Sequence, residues 1–128
     1  EIINILKNYK SNNLKVVFHC FTGSKELLNF CIDNNYYISI SGIVTFKNAS
    51  RLRDILKNAP LNLILIETDS PFLAPEPMRG KINEPSFVKY TAEYLSNFFN
   101  ISLKEFEIIT DNNFFNLFTK AKRDNYLS

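Results

Sequence analysis

Runs of apolar, β-favouring residues alternate along this chain with stretches whose apolar residues recur at helical spacing. The predicted strands are about Val16–Phe21, Tyr37–Ser41 and Leu63–Thr68, and each is mostly apolar. Strands of that kind are buried on both faces, and the helical stretches between them allow parallel crossover connections. The alternation therefore predicts an α/β fold, in which helices cover a parallel sheet of the Rossmann-like or the barrel type.

Local signals mark where the helices begin and end. Ser24 and Ser102 stand where side chains cap helix N-termini, and Pro85 fits the first turn of another helix. Pro60 ends a short helix that begins near Ala49. The first ten residues, 1–10, have amphipathic helical spacing. Their apolar residues fall near one face: Ile2, Ile3, Leu6 and Tyr9.

Length and composition bound the class of protein. With 128 residues, 45% of them hydrophobic, the chain can form one globular domain. Its formal charge of +2 argues neither for nor against a polyanionic partner. Apolar runs stay shorter than the roughly 18 residues of a membrane-spanning helix, so we expect no membrane partner. Cys20 and Cys31 lack metal-site or disulfide spacing, which fits buried thiols in a reducing, cytoplasmic setting.

Polar residues stand at the carboxyl ends of the predicted strands, where parallel sheets place their functional sites. His19 comes at the end of the first strand, Ser41 at the end of the second, and Glu67 and Asp69 at the end of the third. Because side chains alternate along a strand, Glu67 and Asp69 share a face, with Asp69 at the rim and Glu67 one layer below. The same alternation turns Ser39 and Ser41 toward the site, while the intervening isoleucines face the helices.

Most of these residues also have a purely structural interpretation. A single histidine beside a strand is more often structural than a ligand, and Asp69 before Ser-Pro fits an Asx turn. Glu67 is harder to explain that way, because a buried carboxylate needs a partner or a cation. His19 and Asp69 together suit a divalent cation. Two ligands do not complete a catalytic site, so further ligands must come from elsewhere.

Two cationic side chains flank Gly80 in the long polar loop Ser70–Asn83. Arg79 and Lys81 could grip phosphate oxygens, the arginine through two parallel hydrogen bonds. A solvated loop is the alternative, and residue type alone favours it. The residues themselves leave both interpretations open.

Four stretches of the sequence resemble the TatD family of metal-dependent deoxyribonucleases. They occur in family order and at family spacing: FHCFTGS (Phe18–Ser24), YYISISGIVTFKNA (Tyr36–Ala49), IETDSPFLAPEPMRGKINEP (Ile66–Pro85) and TDNNFFNLF (Thr110–Phe118). The resemblance as a whole extends over nearly the entire chain. The third stretch is the most specific. The resemblance implies a TIM (β/α)8 barrel with a metal site at its mouth, as in amidohydrolase-like metal hydrolases.

The resemblance also implies roles for individual residues. His19 corresponds to the metal-binding histidine that ends the sixth strand, and Asp69 to the aspartate that ends the eighth. That aspartate is catalytic: it ligates metal and orients or deprotonates the attacking water. Glu67 corresponds to a supporting buried acid, and Arg79 and Lys81 lie in a loop where contact with DNA phosphates is expected. One or two divalent ions, Mg²⁺ or Zn²⁺, are implied.

Several family ligands have no counterpart in this chain. These are a His-x-His pair on the first strand, a glutamate on the fourth and a histidine on the fifth. Three predicted strands also fall short of the eight that a barrel of ~250 residues needs. We therefore expect residues 1–128 to be the C-terminal half of a TatD-like domain, with an incomplete barrel.

The expected activity of the full-length protein is metal-dependent hydrolysis of DNA phosphodiester bonds, trimming from the 3′ end. One alternative is another metal-dependent hydrolase of the same fold, such as a D-aminoacyl-tRNA deacylase. A second is that this chain alone is a non-catalytic fragment. In either case, we expect the isolated chain to self-associate and to lack nuclease activity, because about half of the ligands are missing.

Overall fold

A computed structural model describes residues 1–9 and 13–123, and its centre is a parallel sheet of three strands. The strands lie in chain order: β1 (Val17–Phe18), β2 (Tyr37–Ile40) and β3 (Ile64–Ile66). Val17 pairs with Tyr37 and Ile38 with Ile64, so β2 lies in the middle. The predicted α/β class and parallel sheet are confirmed. The sheet formed by the described residues is open, as expected for an incomplete barrel.

Helices connect and cover the strands. They are α1 (Ile2–Asn8), α2 (Lys25–Asn34), α3 (Ser50–Leu56), α4 (Val88–Phe98) and α5 (Leu103–Leu117). Short 3-10 turns occupy Gly42–Thr45, Leu61–Leu63 and Pro85–Phe87. The predicted caps form: the Ser24 hydroxyl accepts from the Leu27 amide at 3.2 Å, and the Ser102 hydroxyl from the Glu105 amide at 3.1 Å. None of the described helices is long and apolar enough to cross a membrane.

Each strand is shorter than the sequence predicted, for local reasons. Regular β1 pairing stops before His19, and Cys20 has a left-handed backbone with φ +48°. β2 stops at Ile40 because Ser41 accepts from the Ile43 amide and begins a 3-10 turn. β3 begins one residue late because Leu63 belongs to a preceding turn. A pattern of apolar residues does not report such turns.

The hydrophobic core lies between the sheet and the helices. Ile38 and Ile40 of β2 are fully buried, as predicted for the face opposite the serines, and Leu28, Leu95 and Phe106 pack in the same cluster. α1 departs from expectation: Ile2 and Tyr9 are 47% and 66% exposed, and only Ile3 and Leu6 are partly covered. The predicted apolar face of α1 is therefore mostly solvent-facing, and Lys10 lies outside the described residues.

A buried asparagine joins α5 to the outer side of β3. The Asn113 side-chain amide donates to the carbonyl oxygens of Leu61 at 2.8 Å and Ile64 at 2.7 Å. These two bonds satisfy buried backbone acceptors where β3 begins. In the same segment Phe114 and Phe118 are exposed, whereas the polar Asn113 is buried.

Candidate metal centre

Three potential ligands meet at the carboxyl edge of the sheet. His19 Nε2 lies 3.2 Å from Glu67 Oε1 and 3.3 Å from Asp69 Oδ1. One ligand atom from each of these residues falls within 4.8 Å of the others. The carboxylates are mostly buried, with side chains 10% and 19% exposed, whereas the imidazole is 69% exposed. The structure thus brings together the residues that the sequence placed at strand ends, although β2 separates β1 from β3.

The backbone at both strand ends directs these side chains inward. The Phe21 amide, after the left-handed Cys20, donates to the Ser39 carbonyl at 2.8 Å, so the chain stays against β2 beyond His19. The Glu67 amide donates to the Ile40 carbonyl at 3.1 Å and extends the β3 ladder. Asp69 has φ +56° and opens a turn, so its side chain reaches the rim above Glu67.

One carboxylate oxygen of Glu67 accepts a hydrogen bond from the backbone, and the other has no hydrogen-bond partner among the described residues. Its Oε2 accepts from the Cys20 amide at 2.9 Å. Its buried Oε1 has no hydrogen-bond partner among the described residues, because the 3.2 Å contact with the imidazole lacks hydrogen-bond geometry. Burial raises the pKa of the Glu67 carboxyl; bonds from Ser39 and the Cys20 amide oppose this rise, and the adjacent Asp69 adds to it. An anionic oxygen in that position calls for a cation.

The donor set fits a divalent cation. One imidazole nitrogen and two carboxylate oxygens suit Zn²⁺, and the oxygens suit harder ions such as Mg²⁺. The unpartnered Glu67 Oε1 is the observation that supports this fit. Sequence reasoning gave Glu67 a supporting role only, but its Oε1 lies as close to the imidazole as the Asp69 carboxylate does. Glu67 is therefore available as a third ligand.

A second buried asparagine holds the turn that carries Asp69. The Asn83 side-chain amide donates to the carbonyl oxygens of Thr68 at 2.6 Å and Phe72 at 2.7 Å. Its backbone amide donates to the Pro71 carbonyl at 3.0 Å, and the residue is only 3% exposed. Sequence reasoning assigned Asn83 no role, because a bond from a side chain to a distant backbone leaves no local pattern.

Cys20 belongs to the site rather than to the hydrophobic core. Its thiol contacts the Ser41 hydroxyl at 3.5 Å, and burial raises the pKa of that thiol, as does the nearby Asp69. The thiol therefore lies close to Ser41 and Asp69, at the edge of the ligand cluster. Its position after His19 was visible in the sequence, but only its αL backbone shows that its amide points at Glu67.

Arg79 and Lys81 lie outside the ligand cluster. The Arg79 guanidinium stacks 3.7 Å from the centre of the Phe46 ring. Lys81 is exposed, and its amide donates to the Met78 carbonyl at 3.1 Å. In the described part of the chain, neither side chain forms an ion pair. Both remain available to an anionic ligand, and stacking pre-orients the arginine.

Comparison with known proteins relates the whole fold to one family. The chain is 43% identical over 118 residues to the uncharacterized metal-dependent hydrolase YabD of Bacillus subtilis, covering 92% of this chain and 46% of that protein. The uncharacterized metal-dependent hydrolase YcfH of Escherichia coli is also 43% identical, with 92% and 44% covered. This chain thus spans less than half the length of these relatives.

Solved structures agree with the sequence relatives. The crystal structure of YjjV, a TatD homolog from Escherichia coli, matches with a TM-score of 0.80 and 26% identity, covering 90% of this chain and 44% of that one. A TatD family hydrolase from Entamoeba histolytica matches with a TM-score of 0.74 and 25% identity, covering 89% and 45%. A family profile described as "TatD related DNase" matches residues 1–119. The chain therefore belongs to the TatD family.

Proposed function

We propose that residues 1–128 form the C-terminal half of a metal-dependent hydrolase, and that the full-length protein hydrolyses DNA phosphodiester bonds. The observation that carries the proposal is the cluster of His19, Glu67 and Asp69, with a buried carboxylate oxygen that lacks a partner. The description of the family as DNases supports a DNA substrate, and the names of the relatives support metal-dependent hydrolysis. We further propose that trimming proceeds from the 3′ end.

Each ligand residue has a distinct part in the proposed reaction. A divalent cation, Mg²⁺ or Zn²⁺, when bound, neutralises phosphate charge and lowers the pKa of water. His19, Glu67 and Asp69 are the residues of this chain that would hold it. Asp69, the more exposed of the two carboxylates, orients the attacking water and accepts its proton. Glu67 is fixed by the Cys20 amide and keeps its free oxygen directed at the ligand cluster.

Phosphate recognition is proposed for the loop that follows Asp69. The Arg79 guanidinium lies over the Phe46 ring, and its planar set of N–H donors suits bidentate contact with phosphate. Lys81 adds a second, mobile charge one residue beyond Gly80, whose φ of +85° turns the chain between them. Together they attract the phosphodiester backbone without selecting a base.

The test uses the full-length protein that contains this chain, stripped of metal and then supplied with Mg²⁺ or Zn²⁺. Single-stranded DNA labelled at either end reports both cleavage and its direction. We expect metal-dependent shortening from the 3′ end and a loss of about 10²–10⁴-fold in kcat for Asp69→Ala. Asp54→Ala, which removes an exposed carboxylate on α3, is the control and should cleave normally.

Two outcomes would contradict the proposal. One is an equal rate of DNA cleavage in Asp69→Ala and the wild type. The other is faster turnover of D-aminoacyl-tRNA than of DNA, which would favour the deacylase alternative on the same metal centre.

A further inference from the structure

A cleft of about 550 Å³ lies near the carboxyl ends of the strands, and none of the three candidate metal ligands lines it. It is formed by segments that follow the carboxyl ends of all three strands: Thr22–Ser24 after β1, Ile43 and Phe46 after β2, and Leu73 after β3. This is the edge of the sheet that also carries the three ligands, and such edges hold binding sites in parallel sheets. The volume is within the range of about 300–1,000 Å³ typical of small-molecule sites.

A series of packing contacts through Gly42 links the wall of the cleft to the metal centre. A side chain at Gly42 would lie 2.6 Å from the Leu73 carbonyl oxygen, so the loop after Asp69 packs directly on the end of β2. The preceding residue, Ser41, contacts Cys20, whose amide binds Glu67. The wall of the cleft and the ligands are therefore joined by packed protein at one edge of the sheet.

The lining combines an apolar wall with positive charge. Ile43, Phe46 and Leu73 supply apolar surface, and Arg51 at the start of α3 supplies a cation. None of the described residues that line the cleft carries a carboxylate. Arg79 adds a second positive charge against the Phe46 ring. A ligand with a flat apolar part and a negative charge complements this surface.

The aromatic wall is held rigidly. The Arg53 guanidinium donates to the carbonyl oxygens of Val44 at 3.0 Å and Phe46 at 2.6 Å. The Thr45 hydroxyl donates to the Gly42 carbonyl at 2.7 Å and accepts from the Glu76 amide at 2.9 Å. The segment that presents Phe46 is therefore tied to α3 and to the loop after β3, as a preformed binding surface requires.

We propose that this cleft binds one nucleotide of the single-stranded DNA whose scissile phosphodiester lies at the metal centre, on the same edge of the sheet. The base lies against the apolar wall and the part of the Phe46 ring that lines the cleft, away from Arg79, and its phosphate meets Arg51. The inference rests on the proposed function for its substrate class. Stacking of bases on aromatic side chains and pairing of phosphates with cations are the two interactions that hold single strands.

The test measures binding separately from cleavage. A fluorescent single-stranded oligonucleotide is titrated with the full-length protein in EDTA, and anisotropy gives Kd at several salt concentrations. For Arg51→Gln we expect Kd to rise about 3–10-fold and the salt slope of log Kd to fall by about 0.7, the value for one lost phosphate contact. For Phe46→Leu, which keeps apolar bulk but removes the ring, we expect Kd to rise about 5-fold or more, and the same rise in an Arg79→Gln background assigns it to the base rather than to the released arginine.

Lys57→Gln provides the matched control. It removes the same charge at the other end of α3, where Lys57 pairs with Asp54 at 3.7 Å outside the cleft, and it should leave both Kd and salt slope unchanged. Because Arg51 is exposed, its substitution does not threaten folding, so its result stands even if Phe46→Leu is unstable.

The outcomes separate this inference from the proposed function. Wild-type Kd and salt slope in Arg51→Gln would overturn the cleft assignment, even if the protein cleaves DNA with metal. Weakened binding in Arg51→Gln, in a protein that fails to cleave DNA, would support the cleft and contradict the nuclease. If Lys57→Gln changes Kd and the salt slope as much as Arg51→Gln does, Arg51 contributes only non-specific electrostatic attraction. That result would also overturn the assignment.

Discussion

The side-chain amide of Asn83 fixes the turn from Thr68 to Phe72, in which Asp69 has a left-handed backbone. Both carbonyl acceptors belong to that turn, so losing the amide frees the segment that positions a proposed ligand. Residues that orient metal ligands typically change metal affinity by about 10–100-fold when they are replaced. Asn83 is thus a positioning residue, whose effect should appear in metal binding.

We predict that Asn83→Asp weakens divalent metal binding by about 10-fold or more in the full-length protein. The substitution keeps the size of the side chain but replaces a donor with an acceptor that faces two carbonyl oxygens. Metal affinity is measured by titration well below the unfolding temperature, so that the effect is separated from stability. Asn97→Ala, on the exposed side of α4, is the control. Unchanged metal affinity in Asn83→Asp would refute the positioning role.

The buried thiol of Cys31 predicts a specific alkaline loss of stability. Burial raises the pKa of Cys31 to about 11 in the folded chain. The unfolded thiol ionises near its usual pKa of about 8.5, so between these values the unfolded state holds fewer protons and stability falls as pH rises. The protonated Cys31 thiol contributes its full share of the folding stability below the unfolded pKa of about 8.5. Above that pH the share declines by about 1.4 kcal/mol per pH unit.

Cys31→Ala isolates this effect. The substitution lowers the free energy of unfolding at neutral pH, because it leaves a cavity in the core. The difference in the free energy of unfolding between the wild type and Cys31→Ala should then decrease by about 1 kcal/mol as the pH rises from about 9 to about 10. Urea unfolding at each pH measures it. A gap that stays constant with pH would show that the folded thiol titrates normally.

The ligand residues illustrate what a sequence can predict at this scale. Strand alternation placed Glu67 and Asp69 on one face, and the strand-end position brought His19 to the same edge, as the structure has them. The roles of Asn83 and of the Cys20 amide could not be predicted from the sequence, because their hydrogen bonds join residues 11 to 47 positions apart. Those contacts depend on turns with positive φ, which residue type does not specify.

At the scale of elements, α5 is attached to the sheet by hydrogen bonds as well as by apolar packing. Asn113 donates to two backbone carbonyls where β3 begins, and Phe106, two turns earlier on the same face of α5, is fully buried. We predict that Asn113→Leu lowers the free energy of unfolding by about 2–4 kcal/mol, because two buried carbonyl groups lose their donor. Asn116→Ala, exposed on the same helix, should change it by less than about 0.5 kcal/mol.

Chemical denaturation of the full-length protein measures both variants. Equal stability of Asn113→Leu and the wild type would mean that the Leu61 and Ile64 carbonyls find other donors. The free energy of unfolding of Asn116→Ala should equal that of the wild type within about 0.5 kcal/mol. Only then can the loss of stability in Asn113→Leu be assigned to the two hydrogen bonds rather than to helix propensity.

Helix starts were more predictable than strand ends. The Ser24 and Ser102 caps are local, since each hydroxyl bonds an amide three residues ahead. Strand ends depend on the conformation of the next few residues: a left-handed Cys20 after β1 and a 3-10 turn after β2. α1 was predicted as a helix, but its partner could not be read from its own spacing, and most of its apolar face is exposed.

At the scale of the whole molecule, the described sheet has strands that pair on one side only. β1 pairs with β2 but has no further partner among the described residues, and the chain covers less than half of its curated relatives. Unpaired strand edges and exposed apolar surface promote association with other chains. α5 contributes such surface, because Ile108, Phe114 and Phe118 are exposed along it.

We therefore predict that residues 1–128 alone self-associate and do not cleave DNA. Light scattering on a dilution series should give a dimer or larger species. Phe114→Lys should weaken association by about 10-fold or more, because burying a phenylalanine contributes roughly 1.5–3 kcal/mol. Asn116→Lys adds the same charge to α5 without removing apolar surface and should associate like the wild type. A monomer at every concentration, or metal-dependent cleavage that Asp69→Ala abolishes, would contradict this prediction.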